Sequence, residues 1–96
     1  MPEFPGGYRA LLNFLAQQIK YPAIAAEVGV QGRVTVNFVV NKDGSISDAR
    51  IIRGVDQSLD KEALRVIYSM PKWKPGKQGG QPVRVSFNVP INFVLQ

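Results

Sequence analysis

The first apolar pattern of the chain has the spacing of a helix. It predicts an amphipathic helix over residues 8–19, with an apolar stripe made of Tyr8, Leu11, Leu12, Leu15 and Ile19. A short second helix is expected to begin at Pro22, because proline lacks an N–H and the first helical position needs none. Ile24 and Val28 are assigned to the inner face of this helix, and Gly29 to its end.

From residue 32 the apolar residues alternate with polar ones. This alternation continues to Val40 and predicts a half-buried strand. The turn residues Asn41 to Gly44 and a second strand over 45–53 complete a predicted β-hairpin. A third helix should follow, with Ser58 as its N-cap and an end forced by Pro71.

The end of the chain predicts an unusually long strand. Every second residue from Val83 to Leu95 is apolar, and these thirteen residues at ~3.3 Å each would span about 43 Å. Pro90 cannot donate a ladder hydrogen bond, so it confines the strand to a sheet edge or a bulge. A long edge with little charge leaves N–H and C=O groups unpaired. We therefore expect strand addition, in which an extended peptide or a second copy of the domain completes the sheet.

These elements together predict an α+β fold. The expected architecture is a three-stranded antiparallel sheet, formed by the hairpin and the closing strand, with helices packed on one face. A chain of 96 residues has room for one core. We expect one domain over residues 1–96, with a helical extension at 1–20 ahead of a core at 21–96.

The composition favours a binding function. Histidine and cysteine are both absent, which excludes Ser–His and Cys–His nucleophile systems and thiolate or imidazole metal ligands. Binding, carboxylate chemistry or a lysine nucleophile stays possible on composition; we favour binding and expect no enzyme activity, metal or cofactor. No apolar run reaches the ~20 residues of a membrane helix, and the first residues lack the pattern of a signal peptide.

The net charge of +5 comes entirely from the last third of the chain. Residues 1–62 carry seven basic and seven acidic side chains, whereas residues 63–96 carry five basic side chains and no acid. Five dispersed cations are fewer than a dedicated nucleic-acid surface usually shows, so nucleic acid is not an expected partner.

Several segments resemble chemical motifs, and each has a structural interpretation that we favour. Residues 41–45 lack the last acidic ligand of a calcium loop and are better explained as a hairpin turn. Residues 76–80 lack the spacing of a phosphate-binding loop and predict a flexible loop. Asp56, Asp60 and Glu62 are placed for helix capping. Trp73, between two lysines, is expected to pack in the core.

The order of five short segments resembles the C-terminal domain of TonB energy transducers. The similarity covers about residues 18–95, including the long closing strand from Pro82 to Leu95, and its anchors are Tyr21-Pro22-Ala23 with Gly29, Gly32-Arg33-Val34, Asp43-Gly44-Ser45-Ile46, Ala63-Leu64 and Trp73-Lys74-Pro75-Gly76. Phe4-Pro5-Gly6-Gly7 and the following helix are similar to an extension of TonB-like domains in Bacteroidetes-type bacteria.

The resemblance implies a function and a location. TonB proteins are anchored in the inner membrane by an N-terminal helix and work with the ExbB–ExbD motor. Their periplasmic C-terminal domain binds the TonB box peptide of outer-membrane receptors and transmits force for the uptake of siderophores, cobalamin or glycans. The resemblance implies that the TonB box pairs with the closing strand and that the segment before Tyr21-Pro22, which includes Gln18, contacts the receptor.

The expected binding residues follow from the edge strand and from the resemblance. They are Gln18, Tyr21, Pro22, Arg84, Ser86, Asn88, Ile91, Asn92, Phe93 and Val94. Two alternatives stay open at this stage. One is a self-associating or cell-wall-binding periplasmic domain, with a homodimer formed through the same edge. The other is the sensor part of a membrane signalling or peptidase protein.

Overall fold

The centre of the molecule is an antiparallel β-hairpin. In a computed structural model, which describes residues 2–95, strand β1 spans Gly32–Val40 and strand β2 spans Ile46–Arg53. Met1 and Gln96, which belong to the predicted domain range, lie outside the described residues. Gly44 adopts a φ of +88° in the connecting turn, where its carbonyl accepts a hydrogen bond from the Trp73 N–H at 2.8 Å. The predicted hairpin is confirmed.

The closing strand completes a three-stranded sheet in which β1 is the central strand. Strand β5, Val85–Phe93, pairs antiparallel with β1 in an uninterrupted register from Val40 opposite Val85 to Gly32 opposite Phe93. Its odd-numbered residues face the core, where Val89, Ile91 and Phe93 are fully buried. The predicted α+β fold with a three-stranded antiparallel sheet is confirmed.

Three helices cover the apolar face of this sheet. They are α1 at Tyr8–Gln18, α2 at Ala23–Glu27 and α3 at Gln57–Tyr68. The core combines residues of all three helices with residues of the sheet. Its helical members are Leu11, Leu15, Ala25, Leu59, Ala63, Val66 and Ile67. Phe4 joins the same cluster from the segment before α1.

The helix faces differ from the prediction at α1 and α2. Leu11 and Leu15 are buried, but Tyr8 is 55% and Leu12 is 41% exposed, so only part of the predicted stripe of α1 enters the core. The predicted inner face of α2 is wrong, because Ile24 and Val28 are exposed and Ala25 is the buried residue. Five residues are too short for two apolar positions to define a face.

The start of α3 also differs by two residues. Asp56, rather than Ser58, is the N-cap, and its carboxylate accepts a hydrogen bond from the Ser58 N–H at 3.0 Å. The Ser58 hydroxyl also donates to Asp56, and this bond holds the pKa of the Asp56 carboxyl below its ordinary value. Both residue types are common N-caps, so sequence alone could not choose between them.

The predicted single strand from Val83 to Leu95 is divided. Strand β3, Gly76–Gln78, and strand β4, Gln81–Val83, form a separate two-stranded sheet. Gly79 and Gly80 both have positive φ in the turn between them, so the segment predicted as a flexible loop is a hairpin. Arg84 interrupts the run: before it, β4 pairs with β3, and after it, β5 pairs with β1.

The chain enters the domain through a short bridge to the loop that carries the single tryptophan. Glu3 and Lys74 exchange two main-chain hydrogen bonds of 2.9 and 2.8 Å. Phe4 is 5% exposed, and its ring lies 5.7 Å from that of Trp73 in an edge-on contact. Trp73 in turn contacts Phe87 of β5 at 5.3 Å. The prediction that Trp73 packs in the core is confirmed.

Candidate functional site: an open strand edge

Strand β5 is an outer strand of the sheet. It pairs with β1 on one side, and within residues 2–95 no strand pairs with its other side. Pro90 lies opposite Thr35 of β1. A proline inside a sheet sits where its nitrogen faces away from the paired neighbour. We infer from this that the main-chain groups of the even-numbered residues Ser86, Asn88 and Asn92 face the open side as well.

The side chains of these even-numbered residues form a polar row on the face opposite the helices. The Asn37 side-chain amide of β1 donates to the Ser86 hydroxyl and to the Asn88 side-chain oxygen, both at 2.7 Å. Arg33 Nε donates to the Asn92 side-chain oxygen at 3.1 Å. The cross-strand bonds fix the side chains beside the open edge, although each remains exposed to solvent on β5. Sequence analysis named Ser86, Asn88 and Asn92 but missed the two β1 partners, because register is not visible in a single strand.

Arg84 precedes β5 and belongs to a separate polar cluster. Its guanidinium donates to the Asn41 side-chain oxygen at 3.0 Å and pairs with Asp48 at 3.2 Å. Asp48 has a φ of +51° and lies in the irregular stretch of β2. Because both side chains of this ion pair are largely exposed, water screens it, and its contribution to stability is small. Arg84 thus lies at one end of the open edge.

The remaining predicted residues of the closing strand occupy different environments. Ile91 and Phe93 are 1% exposed, so their side chains belong to the core, and as odd-numbered residues of β5 they turn their main-chain groups toward β1. Val94 follows the strand and is 65% exposed. The Leu95 N–H, one residue further, donates to the Gln31 side chain at 2.7 Å. The open edge therefore runs along residues 85–93.

Gln18, Tyr21 and Pro22 lie in the segment that joins α1 to α2. Gln18 is the last residue of α1; its carbonyl accepts from Arg65 at 2.9 Å, and its side chain is exposed. Tyr21 packs edge-on against Phe93 at 5.8 Å, and its hydroxyl donates to the Val30 carbonyl. Pro22 is the N-cap of α2. Through Tyr21, this segment is in contact with the last residue of β5.

A groove that sequence analysis missed runs between α1 and β5. It has a volume of about 250 Å³ and is lined by Leu12, Leu15, Ala16, Ile19, Pro90, Ile91 and Asn92. No residue of β1 takes part, so the groove lies on the side of β5 that is open. The sequence could not reveal this groove, because a row of apolar residues on a helix does not show which of them, here Leu12, the core leaves exposed.

The acidic residues near α3 have structural partners. Asp60 accepts a hydrogen bond from the Val55 N–H at 3.1 Å, and Glu62 forms an ion pair with Arg65 at 2.7 Å. The bond from Arg65 holds the pKa of Glu62 below its ordinary value. These contacts, with the Asp56 cap, place all three carboxylates in helix capping and pairing. Lys72 and Lys74, on either side of Trp73, are exposed.

Among residues 2–95, none of the helices combines the length and the apolar composition that crossing a bilayer requires.

Comparisons with known proteins place this fold in a family. The family model for the C-terminal region of the Gram-negative bacterial TonB protein matches residues 17–95. Protein TonB of Haemophilus influenzae is 38% identical over 78 residues, which cover 80% of this chain and 28% of that protein. Protein TonB of Pseudomonas aeruginosa is 34% identical over 65 residues, covering 66% of this chain and 18% of that protein. The chain thus spans less than a third of the length of these relatives.

A solved structure agrees with the sequence matches. The NMR solution structure of the Helicobacter pylori TonB C-terminal domain superposes with a TM-score of 0.68 at 26% identity, covering 88% of this chain and 76% of that one. The fold and the edge define a small α+β domain whose outer strand is open to pairing. More particularly, the chain belongs to the TonB C-terminal domain family, whose full-length members are energy transducers in transport and carry this domain in the periplasm.

Proposed function

We propose that this domain is the receptor-binding module of a TonB energy transducer. The open edge of β5 would pair with the TonB box of an outer-membrane receptor as an added fourth strand. The full-length protein would be anchored in the inner membrane, where ExbB–ExbD would act on its upstream region. The domain would pass the resulting force to the receptor and so couple the proton motive force to uptake. The module binds and transmits force and catalyses no reaction.

The observation that carries this proposal is the unpaired side of β5. A nine-residue strand holds its full register on β1, and no strand among the described residues pairs with its opposite side. Natural sheets usually protect such an edge by short length, charge or proline, and of these β5 has only Pro90. Each main-chain hydrogen bond to an added strand contributes about 0.5–1.5 kcal/mol. Several of them, acting together, would give a peptide measurable affinity.

An amide-shift NMR titration tests the proposal directly. The probes are ten-residue peptides copied from the N-termini of outer-membrane receptors of the source organism. We expect the shifts to cluster along residues 84–94, since those amides acquire new neighbours when the sheet is extended. The absence of β5 shifts with every peptide would refute the proposal.

Proline variants separate main-chain pairing from side-chain contact. Asn88→Pro and Asn92→Pro each remove a donor on the open side while leaving the inner pairs with β1 intact. We expect each variant to lower the affinity for the peptide by severalfold or more. Asn88→Ala is the matched control, because it removes the same side chain and keeps the N–H. Equal affinity of the proline and alanine variants would show that β5 does not bind through its main chain.

Self-association through the same edge is the second candidate, favoured by the same unpaired strand. Two copies could pair β5 with β5 and need no peptide. Analytical ultracentrifugation over a range of concentrations measures the mass of the domain in solution. If the edge is reserved for a peptide, the mass should stay that of the 10.6 kDa monomer. A dimer that dissociates when Asn88→Pro is introduced would favour self-association instead.

A further inference from the structure

The groove between α1 and β5 is positioned to meet the side chains of any strand added to β5. Successive side chains of a strand point to opposite faces of the sheet. On an added strand, one set would lie on the polar face beside Ser86 and Asn88. The other set would lie on the helix side, where the groove opens along Pro90, Ile91 and Asn92.

The wall of this groove is supplied by α1. Leu12 and Ala16 of α1 line it together with Ile19, the C-cap of the helix. Leu12 is left 41% exposed although its neighbours Leu11 and Leu15 are buried. The wall residues on the α1 side are all apolar, and the Asn92 side-chain oxygen on the β5 side already accepts from Arg33, so a charged or strongly polar side chain would lose hydration there with little hydrogen bonding in return. An apolar side chain would instead bury surface at no such cost.

We propose that α1 forms a specificity pocket for an apolar side chain of the added peptide. This inference rests on the proposed function and deepens it. The occupant is an extended peptide segment with a residue of valine to leucine size opposite Ile91 and polar residues on either side of it. The unpaired main chain of β5 selects an extended chain, and the apolar wall of α1 selects one of its side chains. The helix before the sheet is therefore part of the binding surface.

The size of the effect follows from burial. Moving a valine or leucine side chain from water into an apolar pocket changes an affinity by about tenfold to a hundredfold. Ala16→Trp fills the groove from an exposed position on α1. We expect it to lower the affinity of the domain for the receptor peptide by about tenfold or more. Gln17→Trp is the matched control, since Gln17 is an exposed neighbour on the same helix that does not line the groove.

Serine-scanned versions of the receptor peptides complete the test. Replacing the residue opposite Ile91 by serine should weaken binding to the original domain about tenfold or more and should have little further effect on Ala16→Trp. Leu12→Ser is a second domain variant, for which we also expect a lower affinity for the receptor peptide. Because Leu12 is partly exposed, the fold should tolerate this change.

The outcomes separate this inference from the function on which it rests. Peptides that shift β5 amides but bind both tryptophan variants equally would overturn the pocket and leave strand addition intact. Peptides that cause no β5 shifts in the original domain would overturn strand addition itself. Tight binding of peptides with serine or a charged residue opposite Ile91 would also overturn the pocket.

Discussion

Replacing Phe4 with alanine tests whether the segment before α1 is a structural part of the domain. The Phe4 ring is 5% exposed and contacts Phe14 at 5.5 Å and Trp73 at 5.7 Å. Its neighbour Glu3 is joined to Lys74 by two main-chain hydrogen bonds. If these contacts hold the segment, the truncation should be felt by the whole core.

The expected loss can be worked out from these contacts. Burying a phenylalanine side chain contributes about 2–3 kcal/mol, and an edge-on aromatic pair adds about 0.5–1.5 kcal/mol. A terminal segment can detach rather than leave a full cavity, which limits the cost. We expect Phe4→Ala to lower the free energy of unfolding by about 3 kcal/mol, a large part of the roughly 5–14 kcal/mol typical of this chain length.

Urea unfolding followed by tryptophan fluorescence measures this loss. Trp73 is the only tryptophan of the chain and lies against the Phe4 ring, so its emission reports both global unfolding and detachment of the segment. With an m-value of about 1.5 kcal/mol per M, the urea midpoint should fall by about 2 M.

Glu3→Ala is the control for this experiment. The Glu3 side chain is exposed, and its main-chain bonds to Lys74 survive the change, so the midpoint should stay within about 0.3 M of the original. If Phe4→Ala behaves like Glu3→Ala, with a loss below about 1 kcal/mol, the segment is not part of the cooperative core and the reasoning fails.

Two further substitutions test the local structure, each followed by urea unfolding. Glu62→Gln should lower the free energy of unfolding by up to about 1 kcal/mol at pH 7. Because the bond from Arg65 lowers the pKa of Glu62, this difference should vanish as the pH falls through that lowered pKa. An equal difference at pH 7 and in acid would contradict this reasoning. Gly44→Ala should lower the free energy of unfolding by at least about 3 kcal/mol, since its Cβ would lie 2.1 Å from the Trp73 carbonyl oxygen at a φ of +88°. The control Gly79→Ala, at a φ of +59° with open space around it, should lower it by only about 1–2 kcal/mol. Similar losses for both variants would refute the clash.

The hairpin β1–β2 and the buried face of β5 were predictable because they depend on a period of two and on a turn. The alternation through Val34, Val36 and Phe38 specifies which side is buried, and Gly44 supplies the positive φ that the turn needs. Both signals are local. The same holds for the core position of Trp73, since the single tryptophan of a small domain is most stable with its ring buried.

The elements that sequence analysis missed depend on contacts between distant segments. The alternation of Val83 with Val85 continues through Arg84, although β4 pairs with β3 and β5 pairs with β1. Likewise, the sequence of α1 shows Leu11 and Leu12 as equally apolar, and only the position of β5 decides that Leu12 borders a groove. Pairing partners and uncovered surfaces are properties of the assembled sheet and are not encoded in any one segment.

The bridge at Glu3 and Lys74 determines where tension on the upstream chain would enter the domain. A pull on that chain would first load two hydrogen bonds and the Phe4 ring. From Phe4 the shortest mechanical path crosses Trp73 to Phe87, a residue of β5 itself, through two ring contacts of 5.7 and 5.3 Å. Because Trp73 also contacts Phe38 of β1 at 5.5 Å, traction would reach the open strand and its neighbour in the sheet together.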